Sequence, residues 1–96
     1  MPKVLLYITA KIIWNFLFYG SDFNENRAHV HVGKRSTENL CKIWLEPTVE
    51  IAKRGDLTDS QLNEVLQIAA DYQDQLLLQW KKFKEGKSIR IITVKN

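Results

Sequence analysis

Two histidines placed two residues apart, His29 and His31, are the side chains best suited to chemistry in this 96-residue sequence. The segment Ala28-His29-Val30-His31-Val32-Gly33 alternates in the manner of a strand. Residues two apart on a strand leave the same face, roughly 6.5–7 Å from one another along it. Ala28, Val30 and Val32 then form an apolar side, and both imidazoles share the opposite side. Imidazoles so placed can chelate one metal ion or work as an acid–base pair. A metal would need a third ligand. Asp22 and Glu25 precede the histidines, and Glu46 and Glu50 follow them. None of the four stands at a diagnostic spacing. The alternative is structural, with the rings packed against Trp44 or across an interface between two copies of the chain.

Arg27, Lys34 and Arg35 bracket the histidines. Bases that hold phosphate beside a His pair that moves protons would suit RNA cleavage. The plainer account of these three is solvated loop charge. Trp44 falls on the same inferred face as the histidines, as a stacking platform for a base or as a packing residue. Cys41 alternates with Ile43 and Leu45, which predicts a buried, inert thiol. There is no Gly-rich phosphate loop, paired-cysteine zinc motif or serine-hydrolase elbow. The sequence offers no complete catalytic constellation, and no cofactor is expected.

The elements that must position these residues can be read from periodicity. Val4 to Thr9 and Ile12 to Tyr19 read as strands. The second is apolar on both sides, with Ile12, Trp14, Phe16 and Phe18 opposite Ile13, Leu17 and Tyr19, so a central place covered on both faces is expected. Residues 20–27 carry turn chemistry. Residues 28–33, Leu40 to Glu46 and Val49 to Lys53 give three further strands, and Pro47 ends the second of these. Thr58 with Gln61 forms a capping box. From there Leu62, Val65, Leu66, Ala69, Tyr72, Leu76, Trp80 and Phe83 recur at helical spacing as far as Gly86. A helix over 58–86 would be about 40 Å long, too long for a compact chain of this size, so it is expected to protrude or to lie against a partner. Ile68 and Leu78, off the main stripe, would be contacts there. Residues 88–95 read as a final strand, at an edge or swapped between copies. The expected class is α+β: an antiparallel meander of about five strands, one long C-terminal amphipathic helix packed on one face, and a short final strand. Residues 1–96 read as one domain, with 1–54 its strand-rich half.

Charge and composition bound the function classes. The chain is 45% hydrophobic with four Gly and two Pro, which excludes a disordered or repetitive chain. A net charge of +3 is unevenly spread: residues 1–54 carry +3, residues 55–80 carry −5 with no Lys or Arg, and residues 81–96 carry +5. Acids early in a helix and bases at its end complement the helix dipole, and that account is preferred to a nucleic-acid patch. One cysteine permits no internal disulfide and fits a reducing compartment. Lys11 and Asn15 interrupt the apolar run from Val4 to Tyr19, and no small-residue cleavage site follows it. A cytoplasmic protein without a membrane segment is expected.

Several segments in this order also resemble a known family. They are Met1-Pro2-Lys3, Phe18-Tyr19-Gly20-Ser21-Asp22, His29-Val30-His31-Val32, Lys42-Ile43-Trp44-Leu45-Glu46-Pro47 and a helix ending near Trp80. Over nearly the whole chain up to about residue 85, they resemble a small bacterial family catalogued as domain of unknown function 4160. Its members usually carry an aromatic-aromatic-Tyr-Ser-(Asn/Asp)-Glu run before the histidines. Here the run is Phe18-Tyr19-Gly20-Ser21-Asp22-Phe23, so the usual acid is shifted or missing, which counts against a metal held by it. The Pro often found before the first histidine is Ala28. The resemblance implies gene pairs of toxin–antitoxin type, a protein partner and a possible tie to RNA, and it brings no established activity. The expectation is therefore an interaction module that binds a protein partner or itself. Nucleic acid stays open as a partner. An RNase-like enzyme or a His-x-His metal protein is the alternative.

Overall fold

The computed structural model describes residues 2–34 and 40–96. Five strands follow one another as an antiparallel meander: β1 (Lys3–Ile8), β2 (Ile13–Leu17), β3 (His29–Gly33), β4 (Cys41–Trp44) and β5 (Glu50–Lys53). Two helices, α1 (Asp59–Asp71) and α2 (Gln73–Lys84), precede a last strand, β6 (Ile92–Lys95). The strand order is β5-β4-β3-β2-β1-β6, with β6 parallel to β1 at the edge. The meander and the α+β class are as the sequence predicts. The sixth strand makes the sheet mixed, and it is shorter than the 88–95 expected.

Alternation decides which face is covered. Register pairs Phe16 with Val32, Val32 with Cys41 and Val30 with Ile43, so these side chains share a face with Trp14. They form one buried cluster with Val65, Ile68, Ala69, Leu76 and Trp80 of the helices. A side chain of this size gains about 1.5–3 kcal/mol on full burial, which makes this layer the main source of stability. The expectation that β2 is covered on both faces holds only in part. Leu17 is buried on the second face, while Ile13 is about half exposed.

The single helix expected over 58–86 is instead two. Thr58 caps α1 as predicted: its Oγ1 accepts the Gln61 N–H at 3.2 Å, and Gln61 Oε1 accepts the Thr58 N–H at 3.0 Å. The helix loosens at Tyr72, whose backbone sits at φ −112° and ψ 20°. Asp71, Tyr72 and Asp74 are weaker helix formers than their neighbours, though not enough to mark a break by themselves. Two anchors tie this point to the sheet. The Tyr72 ring meets the edge of Tyr7 at 6.3 Å, and Gln73 Nε2 donates to the Leu45 carbonyl at 2.8 Å. The longest Cα extent is 34 Å, so no described helix protrudes as the sequence suggests. Gly86 ends α2 in the left-handed conformation, at φ 71°. Asp59 in the first turn of α1 and Lys81, Lys82 and Lys84 in the last turn of α2 fit the dipole account of the charge. No described helix is long and apolar enough to cross a membrane.

Candidate metal centre

Strand β3 presents His29 and His31 on the side opposite Val30 and Val32, paired in register with Trp44 and Lys42 of β4, and Trp80 of α2 reaches the His29 ring. The two imidazoles lie 5.2 Å apart, centre to centre. A single 3-10 turn, Gly20–Asn24, brings Asp22 over them. The turn closes on itself: the Asp22 N–H donates to the Tyr19 carbonyl at 3.0 Å, and the Tyr19 N–H donates to Asp22 Oδ2 at 2.7 Å. Helix α2 holds the turn from outside. Lys84 Nζ donates to the carbonyls of Phe23 and Glu25, the latter at 2.7 Å, and the Phe23 ring stands edge-on to Phe83.

His29 is wholly buried. Its Nδ1 lies 3.0 Å from the Arg27 carbonyl, which can only accept, so Nδ1 carries the proton. In the neutral ring Nε2 is then a bare lone pair. Asp22 Oδ1 is 3.0 Å from that atom and Glu25 Oε2 is 3.2 Å from it. Both carboxylates are at ion-pair distance of Nε2, although neither oxygen lies well in line with the ring N–H direction. The second oxygen of Asp22 stands 3.1 Å from His31 Nε2.

This geometry fits a shared cation. Donor atoms of Asp22, His29 and His31 all lie within 4.8 Å of one another. Cis ligands on a zinc-like ion, with bonds of about 2.0–2.1 Å, are separated by roughly 2.9–3.4 Å. The Asp22–His29 and Asp22–His31 separations fall in that window, one through each carboxylate oxygen, so Asp22 would meet the ion with both. An ion about 2.1 Å along the Nε2 axis places a cis oxygen roughly 45° off that axis, too oblique for N–H···O. Such an ion accounts for both the short distance and the oblique approach. Glu25 reaches His29 but is not part of the mutual set, and it is 46% exposed at the mouth.

Burial of the cluster shifts its titrations. It depresses His31, against the pull of the Asp22 carboxylate. It would raise Asp22, but the Tyr19 N–H and the His29 and His31 rings outweigh it and hold the carboxyl below its usual value. Burial, helped by Asp22, raises the Tyr19 phenol. The Tyr19 ring lies 4.0 Å from that of His31.

The other residues singled out from sequence fall into place unevenly. Asp22, a candidate ligand from the sequence, stands against both histidines, while the position of the run's usual Glu is taken by Phe23, which packs on Phe83. Trp44 does pack on His29, with ring centres 5.6 Å apart. Its own ring is taken by Arg27 at 4.2 Å and Lys42 at 4.6 Å, which leaves little surface for a stacked base. Glu50 pairs loosely with Arg27 at 3.8 Å, and Glu46 offers Arg27 its carbonyl. Neither joins the centre. Lys34 follows the far end of β3 and lines a separate groove with Lys3 and Lys11. Arg35 lies outside the described residues. Ile68 is 4% exposed in the core and offers a partner no surface, which corrects its assignment as a contact; Leu78 is 54% exposed. Cys41 is buried as predicted. Sequence reasoning gave no role to Lys42 or Lys84. Lys42 could have been found, because it stands two residues before Trp44 and so shares the histidine face.

Fold and centre together describe a small α+β protein with a buried His₂–carboxylate cluster. A family model described as Domain of unknown function (DUF4160) matches residues 14–81, and the chain belongs to that family. The match runs from β2 to α2 and includes every residue of the cluster. No curated protein and no solved structure matches the chain.

Proposed function

We propose that this protein binds one divalent first-row transition-metal ion through Asp22, His29 and His31. The observation that carries this reading is the gathering of one donor atom each from the buried Asp22, His29 and His31 within 4.8 Å of one another. Two imidazoles and a carboxylate are a donor set for zinc or iron. Three protein ligands leave a position open for water or a further ligand, as catalytic rather than structural sites do. The hydrogen bond from His29 Nδ1 to Arg27 supplies the outer support that orients a ligating ring.

Elemental analysis after chelator dialysis and reloading with zinc tests the proposal. One ion per chain is expected for the wild type and less than about a tenth for His29→Gln. Equal content in the two, or none in the wild type, overturns it. Near-ultraviolet circular dichroism of the variant separates a lost ligand from a lost fold.

A second reading, an interaction module of toxin–antitoxin type, rests on the resemblance to the family, and Leu78, exposed on α2, is a residue such a partner could meet. Mass in solution, alone and with a neighbouring gene product, tests it: a strict monomer with no affinity for that product counts against it.

A further inference from the structure

The open side of the centre can be located from burial. His29 is enclosed by Trp44 and by Trp80, whose ring lies 4.9 Å away, and Asp22 is buried under the 3-10 turn. His31 is the most exposed of the three, with its side chain 10% open, and Lys42 is its register partner, while Glu25 stands beside His29 and pairs loosely with Lys42. Lys42 and Glu25, 22% and 46% exposed, form the solvent-facing rim of the cluster.

Charge then selects the ligand. A divalent ion facing the Asp22 carboxylate keeps one positive charge. Lys42 and Glu25 balance each other at the mouth, but only loosely, with Nζ 3.6 Å from Oε1. That separation is beyond a hydrogen bond, so Lys42 can exchange partners at little cost. Arg27, 3.8 Å from Glu50, adds a second weakly paired cation beside Trp44. The mouth is therefore suited to an anion with enough oxygens to reach both the ion and Lys42.

We propose that the centre takes a phosphate oxyanion, with one oxygen on the metal and another on Lys42. This rests on the metal reading above, and the two can fail separately. The arrangement replaces the phosphate cluster of Arg27, Lys34 and Arg35 expected from sequence. Lys34 faces another groove, while Lys42 is the register partner of His31.

The test uses the intact protein loaded with cobalt(II), whose visible bands report on its ligands. Inorganic phosphate is expected to change those bands saturably. Lys42→Gln is expected to weaken the response at least about tenfold with cobalt content and melting temperature unchanged. A single-stranded RNA oligomer provides the second arm: competition with phosphate assigns the site to a nucleic-acid backbone, and its absence assigns it to small phosphates. Bands insensitive to phosphate, or an unchanged response in Lys42→Gln, overturn the proposal. Failure to hold cobalt at all overturns the metal reading instead.

Discussion

Replacing Asp22 with Asn separates what the centre does for stability from what it does for a metal. The carboxylate is buried, accepts the Tyr19 N–H at 2.7 Å and faces the Nε2 atoms of His29 and His31 at 3.0 and 3.1 Å. Asn has the same shape and can still accept from Tyr19, but it lacks the charge. Without metal, the wild type buries a carboxylate beside a His31 ring whose burial disfavours protonation, so the substitution should change stability by no more than about 1 kcal/mol. With zinc at one hundred times its dissociation constant, the wild type gains about 2.7 kcal/mol. In a domain of this size, about 4–8 °C per kcal/mol makes that a rise of roughly 11–22 °C in melting temperature. The variant, with only a weak neutral oxygen to offer, should gain less than about a third of this. The assay is thermal melting by circular dichroism, before and after zinc is added to chelator-dialysed protein. An equal rise in both proteins, or none in the wild type, refutes the reasoning.

Three further outcomes follow from the same structure. Metal-free stability should fall on acidification: the folded His31 resists a proton that the unfolded chain accepts from about pH 6.5 down, and Asp22 adds a further loss below about pH 3.9. A melting temperature that is flat between pH 7 and pH 5 would contradict this. Burial pushes the Cys41 thiol up to about 11, so a disulfide reagent at pH 8 should label it only at the rate of unfolding. Fast labelling of folded protein would show the thiol to be accessible. Leu76→Ala empties a fully buried position between helix and sheet and should cost about 2–5 kcal/mol in a urea melt, whereas a loss under 1 kcal/mol would place Leu76 outside the core.

Period-two alternation made the meander legible, because one buried face forces apolar residues to every second position. The same pattern assigned Val30 and Val32 to the core and the histidines to the other side. The break at Tyr72 was not legible. The apolar stripe runs through it unbroken, and what bends the chain is tertiary: Tyr7 and the Leu45 carbonyl, distant in sequence. The cluster of Asp22, His29 and His31 was legible as separate candidates but not as an assembled set. Two residues on one strand announce themselves, but Asp22 reaches them through a 3-10 turn, where neither helix nor strand periodicity applies. Its role depends on a backbone conformation that the composition of residues 20–27 permits without specifying. Lys84 is still further from view, since it supports Glu25 from 59 residues away.

X-ray absorption at the zinc edge, on protein carrying one equivalent of zinc, addresses the centre most directly. A shell of nitrogen and oxygen ligands at about 2.0–2.1 Å, with the multiple scattering of two imidazoles, is the predicted result. A spectrum with one imidazole or none, or with a sulfur ligand, would contradict the assignment of Asp22, His29 and His31 as the metal centre.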